Sequence, residues 1–204
     1  MQWTEIIDCD QNSAEWYLAR LGLPTASEFA TIRTGGNGDT RRRYMHALIA
    51  ERLTGEPTPR GETAAMRRGH DLEEWAVRAY ELLTDEDTEA VGFIKNHRSD
   101  CGASPDRVVG EAGLVEIKTK APYLQVGVLD KGAVPSEHLS QLQGQLWIAE
   151  REWVDFVSYC PGLPLFVQRV HRDEGYIESI RRDVERFYDE LLAVESRVRN
   201  AYQL

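Results

Sequence analysis

The sequence predicts an α/β (α+β) fold, a central mixed β-sheet flanked by helices, and three observations carry that expectation. Apolar residues recur at helical spacing through the first part of the chain. Between residues 89 and 119 the pattern changes to the alternation of strands and tight turns. A helical segment then separates that meander from two more alternating segments, and a long helix closes the chain.

In order, residues 13–21 form a short amphipathic helix with Ser13 as N-cap, a hydroxyl that accepts from an otherwise unpaired N–H. Thr25-Ala26-Ser27-Glu28 fits the capping-box pattern, so a second helix is expected to start there. Residues 40–53 and 63–83 follow as longer helices. In the latter, Leu72, Trp75, Ala76, Ala79, Tyr80 and Leu83 predict one buried face. Segments 34–40 and 54–63 are rich in turn formers and read as loops. Residues 89–95, 102–109 and 113–119 read as strands, the last two joined by a turn at 110–112. A helix over 136–150 follows Pro135. Strands at 153–159 and 165–171 flank Pro161-Gly162, and residues 174–202 form one solvated, amphipathic helix rich in Glu and Arg.

At 204 residues and 42% hydrophobic, the chain suits one domain with a real core. Residues 1–62 form its mainly helical N-terminal part, 63–171 the catalytic core and 172–204 a C-terminal helix. Cys9, Cys101 and Cys160 are odd in number and far apart, which argues against disulfides, a cysteine zinc site and an iron–sulfur cluster. Cys101 and Cys160 are expected in the core with Trp16, Trp75, Trp147 and Trp153. No apolar run approaches a membrane span and the N-terminus is acidic, so a cytoplasmic protein without a membrane partner is expected. A net charge of −10 excludes coating of nucleic acid by bulk attraction. Any DNA grip must be local, with Arg41-Arg42-Arg43 and Arg67-Arg68 the candidates.

The chemistry is expected at Ser104-Pro105-Asp106 and Glu116-Ile117-Lys118. Side chains alternate along a strand, so Glu116 and Lys118 share one face while Val115 and Ile117 enter the core. The turn at 110–112 returns the chain so that Asp106 lies beside Glu116. Two neighbouring carboxylates repel unless a cation lies between them, and Mg²⁺ suits carboxylate, carbonyl and water oxygens. The Ile117 carbonyl is a third candidate ligand. Such an ion would polarise a phosphodiester and activate a water, with Lys118 orienting that water and offsetting developing charge. The bland alternative is an exposed strand of alternating charges. A preceding helix with Glu73 and Glu74 adds acid to the cluster, and the spacing from Gly69 favours Glu73. His70 and His138 read first as ordinary hydrogen-bonded residues, His138 also as a DNA contact one turn before Gln141.

Five segments in order resemble the lambda-type exonucleases, the YqaJ-like viral recombinase family of the PD-(D/E)xK restriction-endonuclease-like nucleases. They are Glu15 to Gly22 with Thr25 to Glu28, Arg67 to Glu73, Ala103 to Asp106, Glu116 to Lys118, and Ser140 to Gln143 before Trp147. The resemblance implies a Mg²⁺-dependent 5′→3′ exonuclease, with two ions per site or Mn²⁺ in their place. It would release 5′-mononucleotides from duplex DNA ends and leave a 3′ overhang. It further implies a homotrimeric ring, a single-strand annealing partner and a phage or prophage origin in a bacterial host. On this chain Asp106, Glu116 and Ile117 would hold metal, Glu73 would serve the second ion, Lys118 would act on the water and Gln141 would reach the centre. Arg20, Ser27 and Ser104 would form the pocket for the terminal 5′-phosphate, a guanidinium fork with two hydroxyls. Where the family often has Gly, Arg107 follows the Pro-Asp pair and is a candidate DNA contact. The rivals are an endonuclease or RecB-like nuclease subunit of the same superfamily, and a non-catalytic DNA-end-binding protein on this fold.

Overall fold

The computed structural model describes residues 3–34, 38–58 and 64–203. The centre of the first expected loop and the second half of the second lie outside the described residues, as do the side chains of Arg67 and His70. The chain runs β1 (Thr4–Ile7), α1 (Ala14–Ala19), a 3-10 turn (Ala26–Glu28), α2 (Phe29–Arg33), α3 (Asp39–Thr54), α4 (Ala64–Thr84), β2 (Phe93–Asn96), β3 (Cys101–Ala103), β4 (Arg107–Val109), β5 (Gly113–Thr119), α5 (Pro122–Lys131), α6 (Ser136–Ala149), β6 (Trp153–Tyr159), β7 (Phe166–His171) and α7 (Glu174–Tyr202).

The expected mixed sheet is present as β4-β5-β6-β7, with β5 and β6 parallel and the other neighbours antiparallel. A second, antiparallel sheet, β1-β2-β3, lies apart from it. The strand expected over 102–109 is therefore two strands in two sheets, separated by Ser104-Pro105-Asp106. Pro105 has no N–H for a ladder, and Gln11 Nε2 pins its carbonyl at 2.9 Å. The expected strand 89–95 starts late, and Glu89 contributes only a bridge to Val108. Two elements lacked a sequence signal: β1, half-exposed and without alternation, and α5, which begins on Pro122.

Ser13 caps α1 as expected, accepting from Trp16 N. The capping box at Thr25 does not form. The Thr25 backbone bridges Gly102 and its hydroxyl pairs with Ser27 Oγ at 3.2 Å, so the chain enters α2 through a 3-10 turn.

Each face of the mixed sheet has its own apolar cluster. Leu114, Val154 and Phe156 pack with α2, α3, α6 and α7. Val115, Ile117 and Val157 pack with Ala76, Val77 and Tyr80 of α4. The contact face of α4 is narrower than expected. Trp75 lies across the helix axis from it and is 60% exposed, and Leu83 in the uncovered last turn is 62% exposed. The closing helix α7 is far more than a solvated one, burying Ile177, Ile180, Val184, Phe187 and Leu191 along one stripe. No helix among the described residues is long and apolar enough to cross a membrane.

Candidate active site

The break in the chain at Pro105 builds the carboxylate pair. The last backbone rung between β4 and β5 is Asp106 N to Val115 O, 3.1 Å. Beyond it β5 has no further backbone partner on that edge among the described residues, and the Asp106 side chain takes its place: Ile117 N donates to Asp106 Oδ2 at 2.5 Å. In a strand the N–H and C=O of one residue point to the same edge, so the Ile117 carbonyl also lies beside Asp106. Glu116 is buried on the α6 face. It accepts from Lys118 Nζ (2.5 Å) and Gln141 Nε2 (2.6 Å) at Oε1, and from Gln145 Nε2 (2.5 Å) at Oε2. The alternation expected for β5 is thus realised.

Burial and the facing Glu116 hold the Asp106 carboxyl well above the usual carboxylate range, with Lys118 partly offsetting them. Burial alone would depress the Lys118 ammonium, but Glu116 and Asp106 outweigh it and hold it above its ordinary value. Two acids pressed together in this way fit a divalent ion. Among the described residues no three His, Cys, Asp or Glu side chains form a ready-made cage. The donor set is two carboxylates and a backbone carbonyl, which suits Mg²⁺, an ion that keeps several waters and takes further oxygens from a phosphate substrate.

Glu73 stands at the rim and is turned to Arg107. Arg107 reaches Glu73 Oε1 at 3.4 Å, Glu74 Oε1 at 2.7 Å and the Asp106 carbonyl at 2.8 Å. Arg107, a candidate DNA contact in the sequence, here clamps the acids of α4, and its side chain is 14% exposed. Gly69, one turn before Glu73, explains how α4 comes so near. A Cβ there would sit 3.2 Å from Thr119 Oγ1 of β5.

Arg20, Ser27 and Ser104 come together as expected, with Gln11, Trp16, Thr25, Gln141 and Gln145, around a cavity of about 160 Å³. The Arg20 guanidinium lies over the Trp16 ring, 3.9 Å from its centroid, while the indole N–H donates to Ser104 Oγ at 2.8 Å. Trp16, expected only as core, is therefore also a pocket wall. The opposite wall, α6, approaches because Gly144 faces the 3-10 turn; a Cβ there would meet Phe29 at 2.5 Å and Ala26 at 3.3 Å.

Other candidates fall elsewhere. Arg41 is buried, donates to the Ile32 carbonyl and pairs with Glu190 at 2.7 Å, so its guanidinium is already engaged within the fold. Arg42 pairs with Asp39, and Arg43 is exposed; the three arginines form no common strip. His138 stacks on Phe156, its Nε2 lies 3.2 Å from Lys120 Nζ, and burial with the Lys120 and Lys118 charges pulls it down to about 4. The residue missed was Gln145. Its place one turn after Gln141 on a buried helix was the available signal.

The YqaJ-like viral recombinase domain matches residues 15–152, a span containing the carboxylate cluster and all of the cavity's lining except Gln11. The chain belongs to that family. Its fold is similar to that of the alkaline exonuclease LHK-Exo from Laribacter hongkongensis at 36% identity, over 93% of this chain and 97% of that one, with a TM-score of 0.84. The LHK-Exo complex with dAMP gives 0.87 at the same identity and coverage. A phage-related exonuclease from Haemophilus somnus 129PT shares the fold at 15% identity, over 84% of this chain and 95% of that one, with a TM-score of 0.60. Among curated proteins, none matches the sequence. Family membership and the LHK-Exo likeness make this YqaJ-family chain a nuclease on a PD-(D/E)xK-like scaffold.

Proposed function

We propose that this nuclease is a Mg²⁺-dependent 5′→3′ exonuclease that degrades one strand of linear duplex DNA from its 5′-phosphorylated end. The observation that carries this reading is the shared wall: Gln141 and Gln145 line the cavity of Arg20, Ser27 and Ser104 and also donate to Glu116. A donor-lined pocket that takes a terminal phosphate then sits one side chain away from the acids that act on the next linkage.

Asp106, Glu116 and the Ile117 carbonyl would hold the ion, with Glu73 available to a second one, and Mn²⁺ could replace Mg²⁺ at both. A divalent cation there supplies Lewis acidity toward the phosphodiester and its attacking water. Lys118, kept cationic by its two acidic neighbours, orients that water and offsets charge on the phosphorane. The attacking water gives up a proton to solvent as its oxygen joins phosphorus and the P–O3′ bond breaks. The departing 3′-oxygen takes a proton from solvent, and a 5′-mononucleotide leaves. The new 5′-phosphate stays on the shortened strand, so each cut regenerates the group the pocket reads, and movement is one-directional. LHK-Exo is known in complex with dAMP, and a nucleoside monophosphate is the product this scheme predicts.

The resulting 3′ overhang suits a single-strand annealing partner in recombination. A homotrimeric ring around the duplex, a phage or prophage origin and a cytoplasmic site of action complete the reading. The deciding experiment is Mg²⁺-dependent digestion of end-labelled DNA. Linear duplex with a 5′-phosphate should be consumed fastest, 5′-hydroxyl ends more slowly, and closed circles spared. Cleavage of circles at the linear rate refutes the reading in favour of an endonuclease.

A further inference from the structure

The α6 helix carries three glutamines two residues apart, and they serve different ends. Gln143 is tied to the backbone, donating to the His171 carbonyl at 2.8 Å and accepting from Asp173 N at 2.9 Å. Gln141 donates to Glu116 from the partly open rim. Gln145 is 1% exposed, at a helix position where an apolar residue would pack without polar cost. Its Nε2 bonds Glu116 Oε2. Its Oε1 is the buried side-chain polar atom left without a hydrogen-bond partner among the described residues.

Turning the amide over would press that oxygen against the Glu116 carboxylate, so the orientation is fixed by charge. The carbonyl end is thereby turned away from Glu116, on a side chain that lines the cavity with Arg20, Ser27 and Ser104. A terminal phosphate offers mainly acceptor oxygens, and two acceptors cannot bond directly. A water can join them by donating one hydrogen to each. The cavity volume of about 160 Å³ leaves room for one, whose share of liquid volume is about 30 Å³.

We propose that Gln145 is a positioning residue that couples end recognition to catalysis: a water shared by Oε1 and the 5′-phosphate locks the amide, and the locked amide holds Glu116. This rests on the phosphate-pocket reading above. When the pocket is filled, Glu116 is fixed in place; with a 5′-hydroxyl end the amide and the carboxylate it holds are less constrained.

The test compares the wild-type enzyme, Arg20→Ala, Gln145→Met and Gln145→Glu on duplexes with 5′-phosphate and 5′-hydroxyl ends. Met keeps the shape and removes both polar atoms; Glu keeps acceptors and removes the donor. Both Gln145 variants should lose the phosphate preference by roughly tenfold, mainly in kcat on phosphorylated ends. A residue that merely supports the fold would slow both ends equally, and an intact preference in a folded variant overturns the proposal. Should neither variant fold, the wild-type protein decides through Mn²⁺ titration with duplexes whose first linkage is a cleavage-resistant phosphorothioate. Tighter Mn²⁺ binding beside a 5′-phosphate than beside a 5′-hydroxyl supports the coupling, and equal affinity overturns it. If the wild-type enzyme shows no phosphate preference, the pocket reading fails and takes the inference with it. If that preference exists and Arg20→Ala abolishes it while the Gln145 variants keep it, the coupling alone fails.

Discussion

The carboxylate cluster and the hydroxyl-lined cavity share one wall of α6, yet they hold opposite kinds of group by opposite means. Asp106 and Glu116 are acids forced together on a buried strand edge, tethered by an ammonium, two amides and a backbone N–H. Left to themselves they repel, and their environment calls for a cation. The cavity presents a guanidinium stacked on an indole, hydroxyls, and amides that belong to both sites. It calls for an anion. One site is rigid because a sheet sets its spacing; the other depends on α1, the 3-10 turn, the Pro105 crossing and α6 all meeting. The first should therefore fail abruptly when a ligand is removed, and the second should fail selectively.

The largest expected effect is on the acids. Asp106→Ala or Glu116→Ala should reduce Mg²⁺-dependent nucleotide release by on the order of 10³-fold or more. Thermal melting without metal should stay level or rise, because a repelling pair has been relieved. Full activity in either variant would break the comparison at its first half. Next comes Arg20→Ala, expected to slow digestion of 5′-phosphorylated ends by about 10²-fold while hardly touching 5′-hydroxyl ends. Equal slowing on both would mean that Arg20 only supports Trp16.

Arg107→Gly sharpens the acidic half. It releases Glu73 and Glu74 from their clamp and removes a positive charge, so calorimetric Mn²⁺ affinity should rise roughly fivefold, worth about 1 kcal/mol. A fall would show that the clamp organises the ligands rather than competing with the ion. Arg41→Ala should cost about 2 kcal/mol in denaturant unfolding, since it strips a buried donor from the Ile32 carbonyl and an ion pair from Glu190. The salt dependence of DNA affinity should not change. In exposed Arg43→Ala the reverse is expected, with unchanged stability and a salt slope lower by about one if that residue meets phosphate.

The smallest effect concerns His138, whose folded value of about 4 lies below the ordinary 6.5. The unfolded chain takes up a proton below pH 6.5 that the folded chain refuses until about pH 4, so this contribution is present above 6.5 and lost as pH falls through that window. Lys120, Lys118, Glu137 and Glu116 supply the surrounding charges. Between pH 7 and pH 5 the wild-type melting temperature should fall about 2–4 °C further than that of His138→Gln. Parallel falls would place the proton elsewhere.

Much of this was legible locally. The alternation that puts Glu116 and Lys118 on one face and Val115 and Ile117 on the other is a property of any strand, and both faces are as expected. Ser13 capped its helix for an equally local reason. Trp75 was misread because helical periodicity marks candidate faces but not how wide a neighbour will cover them. The break at Pro105 was missed, residues 102–109 being read as one strand, because sequence carries no record of which sheet a strand joins.

By itself, the sequence determined the composition of the acidic cluster and the strand that carries it, since both follow from short-range backbone geometry and residue type. Tertiary structure alone decided that Asp106 would replace a missing strand at Ile117 N, that Arg107 would face Glu73 and Glu74, and that Gln145 would stand between acid and cavity. Those outcomes depend on segments more than thirty residues apart in some cases, as with the separation of 34 positions between Glu73 and Arg107. Packing at glycines such as Gly69 and Gly144 leaves room for such segments to approach closely.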